Sequence, residues 1–118
     1  MILVDTSIWV NHLRRHDAVL AAHLEAGEVL CHPYVIGEIG LGVLKHRHEV
    51  LVLLAALPSA LVVSHDEAMT FVERRRLAGR GVGWVDIHLA ASAIVTRAKL
   101  WTADRRLADV ARSLHLQP

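Results

Sequence analysis

The sequence is poor in residues that several classes of protein require. It contains one cysteine, three tryptophans, one tyrosine and one phenylalanine in 118 residues. The single cysteine, Cys31, excludes an internal disulfide, and its apolar neighbours favour a small core residue over a reactive thiol. Because a stacking platform for single-stranded nucleic acid needs exposed rings, the scarcity of aromatic residues argues against one.

The sequence also lacks a segment that would cross a membrane or direct secretion. Its longest apolar stretch, 50–63, is interrupted by Pro58 and Ser59 and is too short to span a bilayer. The first residues have no basic region, and Asp5 interrupts their apolar run, which argues against a signal peptide. We therefore expect a cytoplasmic protein, in a reducing compartment, with no membrane partner.

Apolar residues and arginine are abundant. Hydrophobic residues make up 53% of the chain, which predicts one domain over 1–118 with a buried core. The net charge of +1 indicates no partner, but arginine greatly outnumbers lysine and is clustered along the chain. The clusters are Arg14 with Arg15, Arg74 to Arg76 with Arg80, and Arg105 with Arg106. Each is either a solvated helix face or a phosphate-binding group, for which arginine is well suited.

Short apolar segments alternate with helical patterns along the chain. The first segment, ILV (2–4), is β-branched-rich and does not alternate with polar residues, as is typical of a strand buried on both faces. The predicted strands are 2–4, 28–32, 60–64 and 99–103. The predicted helices are 7–15, 18–27, 34–46, 48–57, 64–78, 85–98 and 104–114. This alternation predicts an α/β fold, a three-layer α/β/α sandwich with a short central parallel sheet.

Four acidic residues fall where a parallel sheet binds its ligands, beyond the carboxyl ends of the strands. Asp5 ends the first strand, and Asp104 follows the last. Glu38 lies in the helix after the second strand, and Asp86 opens the helix after a glycine-rich loop (79–84). The three aspartates have an alternative role at helix N-termini, where the dipole stabilises a carboxylate. Glu38 has apolar sequence neighbours, so we expect it to need a basic partner or a metal.

Carboxylates gathered at one edge of a sheet repel one another. The repulsion is about 4 kcal/mol per pair at 4 Å and an effective dielectric near 20. A divalent cation removes this conflict, and all-oxygen ligation is typical of Mg²⁺ or Mn²⁺. Such ions activate water and neutralise charge that develops on a phosphodiester. The arginine clusters would then contact the backbone of a nucleic acid.

The chain carries four stretches in order that span nearly its whole length: MILVDTSIWVNHLR, HPYVIGEIGLG, GVGWVDIHLAASA and LWTADRRL. They resemble the PIN-domain nucleases, and most closely the VapC-type toxins of bacterial toxin–antitoxin pairs. The resemblance implies Mg²⁺- or Mn²⁺-dependent endoribonuclease cleavage of RNA by a toxin that inhibits translation and growth. It implies four acidic catalytic metal ligands: Asp5, Glu38, Asp86 and Asp104. It also implies that Thr6 or Ser7, together with Thr102, orients the site by hydrogen bonds.

The resemblance further implies two kinds of partner besides RNA. One is a small VapB-like antitoxin whose C-terminal segment wraps the toxin and blocks the cleft, and the other is a second copy of the chain. We expect a homodimer that forms a heterotetramer or larger assembly with the antitoxin. Five arginines are candidates for contacts to the RNA backbone: Arg14, Arg15, Arg80, Arg105 and Arg106.

The sequence departs from the family pattern at two places. Asn11 stands where many relatives carry an aspartate, a change that concerns the rim of the site. Arg105, Arg106 and Leu107 follow Asp104, where many members have a further acid and a phenylalanine. Asp104 is therefore either a direct ligand or a residue that holds a metal-bound water.

Two other functions are alternatives. The first, a flap-cutting DNA nuclease, is disfavoured because it would need a threading arch or helical insertion, for which 118 residues leave no room. An inactive PIN-like scaffold would bind a protein or RNA without cleavage, with its acids too far apart to share a cation. His88, two residues after Asp86 on a helix, is expected to point away from the acid and to serve packing or an interface.

Overall fold

The computed structural model describes residues 1–118 and contains a three-stranded parallel sheet. Its strands are β1 (Ile2–Val4), β2 (Val29–Leu30) and β3 (Lys99–Trp101), in the order β2-β1-β3. Leu3 of the central strand lies opposite Leu30 on one side and Leu100 on the other. All three residues of β1 are buried, which explains why its sequence shows no polar alternation.

Seven helices complete an α/β sandwich and confirm the predicted fold class. They are α1 (Thr6–Arg14), α2 (Ala18–Glu25), α3 (Pro33–Leu41), α4 (Arg47–Ala56), α5 (His65–Arg75), α6 (Trp84–Thr96) and α7 (Arg105–Ser113). The larger of two hydrophobic clusters, with 21 buried residues, includes all of β1 and the buried Cys31. No helix combines the length and the apolar content that a bilayer crossing requires.

The predicted strand 60–64 is wrong. After a single parallel bridge between Cys31 and Ser59, the chain leaves the edge of the sheet. The Leu61 amide donates to Thr96 Oγ1 at 2.9 Å instead of to a strand, and the Leu61 and Val62 side chains are exposed. An apolar, β-branched run was therefore misinterpreted as a buried strand, although only Ala60 and Val63, three residues apart, are buried in the core.

Two predicted helices end earlier than their apolar patterns indicated. The helix predicted over 34–46 ends at Leu41, where Gly42 takes an extended backbone, and α4 begins after His46 in the left-handed region. The helix predicted to reach 78 ends at Arg75, because Arg76 is left-handed and the Leu77 amide donates back to the Val72 carbonyl. The predicted Ser64–Glu67 capping box at the start of this helix is confirmed.

Candidate active site

Asp5 lies at the carboxyl end of the central strand. Its amide donates to the Trp101 carbonyl at 2.9 Å, so the backbone pairing with β3 extends one residue beyond the strand. Its carboxylate is buried, with 6% of the residue exposed. Oδ1 accepts from the Thr6 amide at 2.7 Å, and Oδ2 accepts from Ser7 Oγ at 2.8 Å and Thr102 Oγ1 at 2.7 Å. Asp5 therefore caps α1 and also places a fixed carboxylate at the edge of the sheet.

The two hydroxyls that donate to Asp5 also join distant parts of the chain. Ser7 Oγ accepts from the Ala103 amide at 2.9 Å, and Thr102 Oγ1 accepts from the Asp104 amide at 3.0 Å. Each hydroxyl thus uses its proton on the Asp5 carboxylate and its lone pairs on the turn after β3. Asp104 is in turn the N-cap of α7, since its Oδ1 accepts from the Leu107 amide at 2.9 Å. These bonds fix Asp5 relative to Asp104.

Glu38 reaches the same edge from α3, but its surroundings differ from the expectation. It is exposed, whereas its apolar sequence neighbours predicted burial. The helix turns Val35 and Ile39 into the core and leaves Glu38 on the outer face. There, Glu38 Oε1 accepts from Thr6 Oγ1 at 2.8 Å, which ties α3 to the start of α1. The expected burial of Glu38 was therefore wrong, whereas its expected role as a metal ligand stays a prediction.

Asp86 lies in the first turn of α6 and is half-buried. Its Oδ2 accepts from the Gly83 amide at 3.0 Å, as expected of a carboxylate near a helix N-terminus. Burial raises the pKa of Asp86 above its usual value, and the charges of Asp5, Asp104 and Glu38 raise it further, against the opposing Gly83 hydrogen bond. Asp86 thus lies close enough to the other three predicted acids for their charges to act on it.

These acids have no basic partner in the protein. The three ion pairs of the chain are His23 with Glu28, His46 with Glu49, and Arg112 with Asp109, and none includes an acid of this edge. The negative charge of the edge is therefore not compensated by a lysine, arginine or histidine in direct contact. A cation from solution would remove the repulsion.

The donors fit a hard divalent cation held partly through water. The chain has no group of three acidic, imidazole or thiol side chains that already encloses a metal site. Glu38, Asp86 and Asp104 each keep one carboxylate oxygen that accepts no hydrogen bond from the protein. Because Mg²⁺ keeps several waters and is commonly bound through one or two carboxylates, this open arrangement of oxygens fits Mg²⁺ or Mn²⁺.

The five candidate arginines are all exposed, and two of them have contacts near the edge. Arg14 lines a groove of about 410 Å³ together with Glu38 and Lys45. Arg106 packs over Gly81, where an added Cβ would lie 2.8 Å from Arg106 Nη1. Gly81 also has a positive φ of 79°, so both its conformation and this contact favour glycine. The structure shows no contact that links Arg15, Arg80 or Arg105 to the acids.

A row of aromatic and imidazole rings near two of the acids was missed. His88 is buried, as expected for a residue with a packing role. Its ring centroid lies 5.0 Å from those of both Tyr34 and Trp84. His65 packs 5.3 Å from the far side of the row, against Trp84. The spacing of Trp84 and His88, four residues apart on one helix, was the signal available in the sequence.

Comparison with known proteins places this arrangement in a family. The model of the PIN domain matches residues 2–113, a range that includes all four acids. Ribonuclease VapC32 from two strains of Mycobacterium tuberculosis, CDC 1551 / Oshkosh and ATCC 25618 / H37Rv, is similar to this chain. In both comparisons 55% of residues are identical over 108 residues, which cover 91% of this chain and 87% of the relative.

Proposed function

The chain belongs to the PIN-domain family, and from this membership we propose that it is a VapC-type toxin that cleaves RNA as a divalent-metal-dependent endoribonuclease. The observation that carries the proposal is the edge of the sheet where the charges of three acids act on Asp86 and none of the four has a basic partner. Cleavage of RNA by such a toxin would inhibit translation and growth.

The four acids would hold Mg²⁺ or Mn²⁺: Asp5, Glu38, Asp86 and Asp104. When bound, the cation lowers the pKa of water and neutralises charge that develops on the phosphodiester. Ser7 and Thr102 hold the Asp5 carboxylate in position, since both donate to its Oδ2. Thr6 positions Glu38 in the same way through its hydroxyl.

Asp86 can offer one oxygen to the cation. Its Oδ2 is held by the Gly83 amide, which leaves Oδ1 without a hydrogen bond from the protein. Burial and the other three acids raise the pKa of Asp86 in the metal-free protein, so a bound cation would favour its ionised form.

The arginines would position the RNA by its phosphates. Arg14 shares a groove with Glu38, and Arg106 lies over the loop before Asp86, so phosphates on either side of the cleaved bond would meet a guanidinium. Arg15, Arg80 and Arg105 would extend this contact along the strand. Arginine suits the role because its planar fork matches the phosphate oxygens.

The proposal includes protein partners and a cytoplasmic location. Exposed apolar side chains are concentrated at the end of α3 and on α4: Leu41, Val43, Val52 and Leu53. Such a surface supports a homodimer, a VapB-like antitoxin, or both in a heterotetramer or larger assembly. We treat residues 1–118 as one domain, which meets its RNA substrate and its antitoxin in the cytoplasm.

A PIN-like scaffold that binds RNA or a protein without cleavage is the second candidate. The observation in its favour is that no three ligand side chains enclose a cation site. The two functions differ in whether the acids support hydrolysis, and a cleavage assay separates them.

The test is cleavage of single-stranded RNA by the purified protein with Mg²⁺ or Mn²⁺. We expect EDTA to abolish cleavage and Asp5→Asn and Asp86→Asn to lower its rate by about a hundredfold or more, as when charge stabilisation is lost from a transition state. Asparagine at position 86 keeps an oxygen for the Gly83 amide, so Asp86→Asn should unfold near the wild-type temperature. Asparagine at position 5 turns an amide donor toward groups that donate to the carboxylate, so Asp5→Asn should be less stable than wild type. Its activity is therefore compared at a temperature at which circular dichroism shows it to be folded.

Asp109→Asn is the matched control, because Asp109 is exposed on α7 and paired only with Arg112. It should cleave at the wild-type rate. Full activity in Asp5→Asn would refute the site, and a wild-type protein that binds RNA but cleaves none with either metal would favour the scaffold.

A further inference from the structure

We propose that Trp84 and Tyr34 form a stacking site for an unpaired base of the RNA, beside the carboxylates. The inference rests on the proposed function, since it concerns how the substrate of that site is held. It names a contact to a base, which the acids and arginines do not supply because those groups contact metal and phosphate.

The two rings are exposed but held from behind. Tyr34 and Trp84 expose 39% and 41% of their surfaces, whereas His88 between them exposes 2%. The Tyr34 and His88 rings meet at 61°, and the His88 and Trp84 rings at 83°, both at centroid distances of 5.0 Å. These edge-to-face contacts are the favoured arrangement of such rings. Both outer rings thus pack on one buried imidazole while a large part of each stays open to solvent.

Further contacts fix both ends of the row. His32 is fully buried and caps α3 through Nδ1, which accepts from the Tyr34 amide at 3.0 Å, while its ring lies 5.0 Å from the Tyr34 ring. At the other end, the His65 ring lies 5.3 Å from Trp84. Rings that are already ordered lose little conformational freedom when a ligand stacks on them.

The row is attached to the two helices that carry Glu38 and Asp86. Tyr34 lies one helical turn before Glu38, on the same face of α3, where side chains are about 5–6 Å apart. Trp84 lies in the first turn of α6, two residues before Asp86, and its ring is turned toward His88 rather than toward the acid. The separation between Tyr34 and Glu38 is less than two stacked base steps of about 3.4 Å each. A base on the rings would therefore belong to a nucleotide close to the phosphodiester at the acids.

A nucleobase fits this site better than an apolar peptide does. The three most exposed aliphatic side chains, which would suit a protein partner, lie at the end of α3, just after it and on α4: Leu41, Val43 and Leu53. Arg80 is exposed in the loop just before Trp84, where it suits a phosphate of the same strand. Base–aromatic stacking accepts any base, because every base has a π-face. The chain has only five aromatic residues, which argued against an extended stacking platform. Two of the five nevertheless lie at one site, and two rings are enough to stack a single base.

The test compares Trp84→Leu, which removes the π-face, with Trp84→Phe, which keeps it. Binding of a single-stranded RNA that the wild-type protein cleaves is measured in EDTA, and KM and kcat are measured with Mn²⁺. We expect Trp84→Leu to bind about five- to a hundredfold more weakly and to raise KM more than it lowers kcat. Trp84→Phe should stay within about threefold of wild type on the same scale. Val95→Ala, an exposed change on the same helix, is the control.

An abasic scan of the same RNA identifies the contact directly. One abasic position near the cleaved bond should weaken binding of the RNA to the wild-type protein. The same abasic position should not weaken binding to Trp84→Leu, because this variant already lacks the ring on which the missing base would stack. Equal binding and KM for Trp84→Leu and wild type, or abasic effects that persist in the variant, would overturn the inference. The inference would also be overturned if Trp84→Leu bound RNA normally and lost only its binding to the antitoxin, since the rings would then contact a protein. If the wild-type protein cleaves no RNA, the proposed function fails instead.

Discussion

The carboxylate edge has two parts that the protein stabilises differently, which we call the floor and the rim. The floor consists of Asp5, Ser7 and Thr102, at the ends of the central strand and its neighbour. There a buried carboxylate accepts three hydrogen bonds, and both hydroxyls are themselves held by backbone amides. The polar groups of the floor therefore find their hydrogen-bond partners within the folded chain and need no ligand.

The rim consists of Glu38, Asp86 and Asp104, each at the start of a helix or on its outer face. Each carboxylate has one oxygen bonded within the protein and one that is not, and none has a cationic neighbour in contact. From this difference we propose that the floor sets the position of the site and that a cation from solution would complete the rim. Changes to the two parts should therefore have opposite effects on the metal-free protein.

The largest expected effect on stability is at the floor. Thr102→Val keeps the shape of the side chain but removes the hydroxyl that donates to Asp5 and accepts from the Asp104 amide. Because a buried carboxylate then loses a donor, we expect the free energy of unfolding to fall by about 1–3 kcal/mol. Urea unfolding in EDTA measures it.

Thr70→Val is the matched control, since Thr70 is exposed on α5 and its hydroxyl makes no hydrogen bond. Its effect should be a few tenths of a kcal/mol, about the difference in helix propensity. If Thr102→Val were as stable as Thr70→Val, the floor would not depend on its hydroxyls.

A smaller effect of the opposite sign is expected at the rim. Glu38→Gln removes a negative charge but keeps an oxygen for the Thr6 hydroxyl. In EDTA at low salt the variant should be as stable as wild type or more stable by up to about 0.5 kcal/mol, because a repulsion between exposed charges is relieved. With Mn²⁺ present, wild type should gain more stability than the variant, since binding of a ligand to the folded state adds to its stability.

Glu25→Gln, an exposed change on α2, should show neither effect. A clear loss of stability for Glu38→Gln in EDTA would mean that the rim, like the floor, is satisfied by the protein alone.

The contrast between floor and rim also shows what the sequence could predict of the site. The four acids were identifiable because parallel strands end at a common edge, and the aspartates could be assigned to it from their place after strands or before helices. A helix-capping role and a role at the edge were expected as alternatives. Asp5 and Asp104 nevertheless cap a helix with one carboxylate oxygen while lying at the edge of the sheet. The hydrogen bonds between Ser7 and the turn at Ala103 depend on pairing across 96 residues, which no local pattern contains.

Helices and strands were predicted correctly where the hydrophobic periodicity and the capping residues indicated the same element. The predictions failed where apolar composition was the only signal. The helix capped by Ser64 and Glu67 was found at its correct start, because the capping residues have a local mechanism. The segment 60–64 was misassigned because short apolar runs do not distinguish a strand from a connection at the surface. The expectation that Glu38 is buried was wrong for a similar reason, since residues that are neighbours in sequence point to different faces of a helix.

The central claim is that the four acids bind a divalent cation, and a calorimetric titration of the metal-free protein with Mn²⁺ tests it most directly. We expect wild type to bind Mn²⁺ and Asp86→Asn to bind it at least about tenfold more weakly. The wild-type affinity should rise with pH above the usual aspartate value of 3.8, because the raised pKa of Asp86 makes protons compete with the cation there. Equal affinities in wild type and Asp86→Asn, or no binding to either, would contradict the account.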